Sequence, residues 1–141
     1  MNIVIHHNPR CGTSRNVLQL VRDAGYDPVV VDYLETGWTR PQLLALFAAA
    51  GLTPRMALRT TKSPAAELGL LEESVSDSDI LDQMVLHSIL VNRPIVACPR
   101  GVKLCRPSGR VLDLLDTWPA GPWAKEDGTL ILDADGSRVG E

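Results

Sequence analysis

The stretch Ile3–Leu20, IVIHHNPRCGTSRNVLQL, decides how the rest of the chain is read. Its run Ile3-Val4-Ile5 predicts a short buried strand, and from Thr13 onward Val17, Leu18, Val21 and Ala24 recur at helical spacing. Cys11 falls in the turn between the two. Asn8-Pro9 ends the strand, Gly12 permits a tight turn, and Thr13 and Ser14 bring hydroxyls to the point where a helix needs its first amides capped. A thiol there faces unpaired backbone N–H groups and the positive end of a helix dipole. Both favour the thiolate, which is the reactive species. The same amides suit a tetrahedral oxyanion brought up to the sulfur. The expectation is a loop that supplies both a nucleophile and an anion seat, set against the plainer reading of Cys11 as a small buried hydrophobe.

Downstream, the first helix is expected to end near Ala24-Gly25, and Pro28 leads into Val29-Val30-Val31, a run short enough for a parallel strand. After Tyr33-Leu34-Glu35 the pattern turns helical for about fifty residues. Thr39-Arg40-Pro41-Gln42 reads as a capping box opening a helix that ends at Gly51, Ser63-Pro64 as the start of a short helix through Leu68, and Ser76-Asp77-Ser78-Asp79 as a third start. The acidic residues at that third start complement a helix dipole and lack the later Gly and Glu of a calcium loop. Pro94-Ile95-Val96-Ala97-Cys98, the turn Pro99-Arg100-Gly101 and Val102-Lys103-Leu104-Cys105 form an antiparallel hairpin, and Pro107-Ser108 opens a last helix. In the tail from Trp118, Leu130-Ile131-Leu132 with Asp135-Gly136 suggests a small hairpin. This order, β-α-β, helices, β-β-α, is the plan of an α/β thioredoxin-like domain. It is expected to be a single domain over 1–141, with a helical insertion at about 37–88 and a tail from about 118. In that plan Pro94 faces the redox cysteine and follows a cis peptide bond.

Composition narrows the function. The chain of 141 residues is 45% hydrophobic and carries a formal charge of −3, which gives no basic excess for a nucleic-acid partner. No basic leader precedes a long apolar run, and no segment approaches about 18 uninterrupted apolar residues, so neither signal peptide nor membrane partner is expected and the cytoplasm is the default. Three widely spaced cysteines make no disulfide framework.

Cys11 is followed by Gly-Thr-Ser, so Ser14 stands where a dithiol oxidoreductase carries its second cysteine. A resolving thiol must come from elsewhere: glutathione, another protein, or Cys105 or Cys98 of this chain. Cys98 reads as core and Cys105 as a passive thiol, the alternative for Cys105 being an approach to the site beside its neighbour Arg106. A phosphatase loop is excluded, because its arginine would stand six residues on, at Val17, and Arg15 has the wrong spacing. Arg59, Arg93 and Arg106 lie beside predicted turns, Arg93 and Arg106 at the two ends of one hairpin. Planar guanidinium groups there suit an oxyanion, whereas Arg22, Arg40, Arg55, Arg110 and Arg138 read as surface charge. His6 and His7 point to opposite strand faces and cannot share a metal; His7 is placed to tune the thiolate, and His87 to cap a helix or join the core. No Cys/His spacing resembles a zinc site.

His7-Asn8-Pro9-Arg10-Cys11-Gly12-Thr13-Ser14-Arg15-Asn16 closely resembles the signature of glutaredoxin-dependent arsenate reductases of the bacterial ArsC type. Leu90-Val91-Asn92-Arg93-Pro94-Ile95-Val96 and Leu104-Cys105-Arg106-Pro107-Ser108 match two further blocks, and Ala57-Leu58-Arg59 and Leu68-Gly69-Leu70 also fit. The likeness runs from Asn2 to about Lys125-Glu126-Asp127-Gly128. It implies Cys11 as nucleophile, Arg59, Arg93 and Arg106 as the oxyanion clamp, Gly12 and Thr13 as further substrate-binding positions, and His7 and Ser14 as supporting residues. It also implies arsenate as substrate, glutathione as co-substrate, glutaredoxin as partner, and no metal or tightly bound cofactor. Ser88 replaces a proline common in the family, and the loop Thr60–Ala66 diverges, which bears on how the thiol donors dock. Two other readings stay open: a redox-responsive RNA polymerase-binding regulator of the Spx type, which typically uses a Cys-x-x-Cys switch, and a monothiol glutaredoxin-like iron–sulfur carrier, which would lack the arginines and the insertion.

Overall fold

Strand β1 (Val4–His7) leads into helix α1 (Gly12–Asp23) and then into β2 (Val29–Asp32), the β-α-β opening that the residue pattern predicts. The structure is a computed structural model that describes residues 1–140. The chain divides into two compact units, one built from Met1–Val31 and the chain from Arg93 onward, the other from Asp32–Asn92.

In the first unit a mixed four-stranded sheet has the order β2-β1-β3-β4, with β3 spanning Ile95–Cys98 and β4 Gly101–Leu104. β3 runs antiparallel to β1, with Ile5 opposite Val96, and antiparallel to β4, with Cys98 opposite Gly101, so the hairpin closes over Pro99-Arg100 as expected. The Arg93–Pro94 peptide is cis, as are Arg106–Pro107 and Gly121–Pro122. Helix α1 buries Val17, Leu20 and Val21 on one face and ends through Ala24 into Gly25, whose φ of 96° is open to glycine at little steric cost. These side chains join Ile3, Ile5, Val96, Leu112 and Ile131 in one core.

One expectation for this unit, the form of the last helix, needs correcting, and two others gain detail. The valine run of β2 is an edge strand with Val29 and Val30 exposed; stiff branched side chains favour the extended backbone there without burial on both faces. The last helix is a 3-10 helix, Ser108–Leu114, in which Arg110 N–H donates to the Pro107 carbonyl. Three residues per turn stack Val111 under Leu114 and Leu112 under Leu115, and all four reach the core. In the tail, Leu130–Leu132 (β6) pairs with Trp123–Ala124 (β5), and the anticipated Asp135-Gly136 turn continues the ribbon through a Leu132–Arg138 bridge. Gly121 permits this packing, since a Cβ there would lie 1.9 Å from the Asp133 carbonyl oxygen.

The second unit holds α2 (Tyr33–Thr36), α3 (Arg40–Ala50), α4 (Asp77–Leu86) and a 3-10 turn at Ser88–Leu90. The capping box forms between Thr39 and Gln42, and Gly51 closes α3 in the left-handed region. Ser76 accepts from the Asp79 amide to open α4, with Asp77 and Asp79 in its first turn. Tyr33 and Trp38 stack with ring centroids 5.1 Å apart, and α3 packs on α4. The helix expected at Ser63–Leu68 is instead a series of turns: Leu68 N–H reaches the Pro64 carbonyl, but Gly69 at φ 72° ends the turn before it can propagate. Arg55, expected to be a solvated charge, donates to the carbonyls of Leu70, Glu72 and Val75 and so ties that irregular segment down.

Candidate active site

The loop Asn8–Cys11 is built from its own polar groups. Asn8 Oδ1 accepts from the Arg10 amide at 2.9 Å, and the Asn8 carbonyl accepts from the Cys11 amide at 3.1 Å. The helix begins one residue earlier than the spacing predicts, with Cys11 itself in the N-cap position at φ −100° and ψ 122°. Its carbonyl accepts the first helical bond, from Arg15 N–H at 3.0 Å. The Ser14 amide is directed at the sulfur as an electrostatic contact rather than a fully formed capping bond.

Ser14 does not cap the helix with its hydroxyl, as the sequence suggests. Fully buried, Ser14 Oγ accepts from the Asn8 amide at 3.0 Å and is hydrogen-bonded with His7 Nδ1 at 2.6 Å. The side chain anticipated as a tuner of the thiolate thus fastens strand β1, the loop and the first turn of α1 to one another. His6 lies on the opposite face, and burial lowers its pKa. His87 is exposed and sits at the C-cap of α4, one of its two expected roles.

From the far side of the sheet, Arg106 Nη1 donates to Cys11 Sγ at 3.5 Å and to the Arg93 carbonyl at 3.2 Å. The two hairpin-end arginines are therefore gathered at the sulfur. Burial by itself would push the Cys11 thiol up. The Ser14 amide, the charge of Arg93 and the hydrogen bond and charge of Arg106 outweigh it, and the net shift is below the ordinary thiol value. Cys11 is only 6% exposed. Beside it, however, a cleft of about 260 Å³ opens along Gly12, Thr13 and Asn16, walled by Pro107, Ser108 and Lys125. A larger groove of about 430 Å³ runs along the flank of α1 from His7, Pro9 and Arg15 past Leu18 to Trp123. The smaller cleft alone is lined by Gly12 and Thr13, the helix-end residues next to the sulfur, with Glu126 and Asp127 also in its wall.

Arg59 belongs to the second unit. There its amide donates to the Leu90 carbonyl at 2.8 Å and its Nε to the Thr61 carbonyl at 3.0 Å, and the side chain is largely buried. The other cysteines differ from Cys11: Cys105 is buried in the core, where desolvation pushes its thiol up to about 12, and Cys98 is half-buried with its sulfur 3.6 Å from the Leu114 carbonyl. Arg15, Asn16 and Glu126 were not picked out by spacing. Arg15 Nε and Nη2 make a two-pronged contact with Glu126, and Asn16 Oδ1 accepts from the Glu126 amide. Partners separated by 111 residues leave no local pattern.

Residues 6–114 match the ArsC family. The chain belongs to the ArsC family. An ArsC relative from Synechocystis, arsenate reductase ArsI2, is 72% identical over 97% of this chain and 98% of its own length. An arsenate reductase of Escherichia coli is 48% identical over 98% of both chains. Among solved structures, an arsenate reductase from Vibrio cholerae superposes with a TM-score of 0.77 at 36% identity, covering 82% of this chain and 98% of that one. The ArsC fold is thioredoxin-like, in agreement with the β-α-β and β-β order read from the residues.

Proposed function

We propose that this ArsC protein reduces arsenate to arsenite through a covalent intermediate on Cys11. The observation that carries the reading is the meeting of the Cys11 sulfur, held toward its anionic form, with Arg106 and the charge of Arg93 at the opening of α1. Arsenate, a tetrahedral oxyanion, binds against the Gly12 and Thr13 end of the helix with Arg93 and Arg106; Arg59 joins them on the strength of the family resemblance. The thiolate attacks arsenic, an S–As bond forms, and an As–O bond breaks to release hydroxide, which leaves as water once protonated. The arginines stabilise the charge that gathers on the arsenate oxygens. His7 and Ser14 support the loop that aims the sulfur.

Two electrons must then reach arsenic. With Ser14 in place of a second cysteine and Cys105 kept protonated in the core, an external thiol is the better donor. In this reading glutathione displaces a second oxygen from arsenic as water, and a glutaredoxin thiolate then attacks the glutathione sulfur. The electron pair of that As–S bond stays on arsenic, which becomes trivalent as a glutaredoxin–glutathione disulfide forms; water hydrolyses the remaining Cys11 S–As bond, restoring the thiol and releasing arsenite. No metal or tightly bound cofactor takes part, and the thiol donors place the reaction in the cytoplasm. Single-domain behaviour over 1–141, with the helical segment as an insertion, belongs to the same proposal.

The test is arsenate-dependent NADPH oxidation coupled through glutathione reductase, run with and without glutaredoxin. Turnover requiring both thiol donors and lost in Cys11→Ser is the expected result. Turnover that ignores Cys11 would overturn the mechanism, and turnover with neither donor would overturn the donor assignment.

A further inference from the structure

We propose that Glu126, in the tail ribbon, is a positioning residue for the Cys11 loop and acts through Arg15. This rests on the reading of Cys11 as the nucleophile.

Arg15 spends all three kinds of guanidinium nitrogen on fixed acceptors. Nε donates to Glu126 Oε1 at 2.7 Å, Nη2 to Glu126 Oε2 at 3.0 Å, and Nη1 to the Pro9 carbonyl at 2.9 Å. The carboxylate therefore sets the plane of the guanidinium, and that plane aims the remaining N–H at the backbone two residues before the nucleophile. The tail is in turn anchored to the same helix. Glu126 N–H donates to Asn16 Oδ1 at 2.9 Å, and Trp123 Nε1 donates to Asp23 Oδ2 at 2.8 Å. Trp123, Ile131 and Leu132 fasten the ribbon in the core, so Glu126 is presented from a rigid base.

The brace lies close to the reacting group. A Cβ built on Gly12, the residue after the nucleophile, would sit 3.7 Å from Arg15 Nη2 and 4.0 Å from Glu126 Oε2. Arg15 also feels the charge of Cys11. The loop's outer support thus comes from a residue 111 positions along the chain from Arg15. An exposed ion pair would ordinarily do little. This one has bidentate geometry, a third bond to the loop carbonyl and a backbone anchor, and its effect is expected in the alignment of the sulfur more than in the stability of the fold.

Glu126→Ala and Glu126→Gln in the full chain test this. The rate of Cys11 alkylation by iodoacetamide, followed against pH by peptide mass spectrometry, reads the thiolate directly. The expected result is a midpoint raised by about half a pH unit in Glu126→Ala, as the sulfur slips from the Ser14 amide and Arg106. With it, arsenate kcat falls about tenfold while KM changes less than about twofold. Glu126→Gln, which keeps one acceptor, should fall between the parent and Glu126→Ala on both readouts. An unchanged midpoint and kcat in a folded Glu126→Ala protein would overturn the proposal, as would a lowered melting temperature with the midpoint unmoved, which marks a purely structural strap. Should Cys11→Ser retain turnover, the nucleophile assignment fails instead, and the alkylation profile still reads the brace.

Discussion

Cys11 and Cys105 are both buried, and they are opposite thiols. Cys105 lies in the core among Val111, Leu112 and Leu115, where the charges of Arg110 and Lys103 fall short of the cost of desolvation, and its pKa is pushed up to about 12. Cys11 suffers desolvation too, but the Ser14 amide and the guanidinium groups of Arg93 and Arg106 reverse its sign. The difference is not exposure. It is the direction of the local field, and the neighbours Cys105 and Arg106 divide the two environments between them, one facing the core and the next reaching the sulfur of Cys11.

The sharpest way to break this contrast is to remove each sulfur. Cys11→Ser should cost arsenate turnover at least about a thousandfold, whereas Cys105→Ser should keep most of it in whatever fraction folds. Comparable losses, normalised to folded protein, would erase the distinction. Next in size, Arg106→Ala should lower kcat roughly a hundredfold by removing charge stabilisation at the reacting oxyanion. The same variant should move the Cys11 alkylation midpoint upward. The sign follows from protonation: the thiolate fraction falls as pH drops through the Cys11 pKa, and loss of a nearby cation raises that pKa. Ser14→Ala, which leaves the Asn8 amide and His7 Nδ1 without their shared partner, should cost about tenfold in kcat with the amide contact to sulfur retained.

The smallest effect concerns stability. Because the folded Cys11 pKa lies below its ordinary value of 9.0, its contribution to folding is fully present above that value and is lost as pH falls through the folded pKa. Denaturant titrations of the parent against Cys11→Ser should diverge in that window, the parent gaining as pH rises. Cys105 offers the counter-check: it should resist alkylation in the native protein and react once denatured.

Much of the fold is legible in the residues themselves, wherever the deciding interactions are local. The β1–α1 turn, the Thr39–Gln42 capping box, Ser76 opening α4 and the hairpin around Pro99-Arg100 each depend on residues a few positions apart. Ser63–Leu68 went astray for the same reason: its start signal is genuine, but a single turn followed by Gly69 cannot repay helix nucleation. Ser108–Leu114 kept its apolar content and changed its period, because core packing chose the tighter winding.

On its own, then, the order of residues determined which sulfur stands at the mouth of a helix, that no second thiol follows it at Ser14, and which arginines flank the hairpin. Only the tertiary structure decided that Arg106 crosses to the sulfur, that Ser14 serves His7 and Asn8 instead of the helix end, and that Glu126 holds Arg15. Capping, turns and periodicity are written within a few residues of one another. A field at one atom sums over groups brought together from as far as 95 positions away, and their spacing along the chain carries no trace of that meeting.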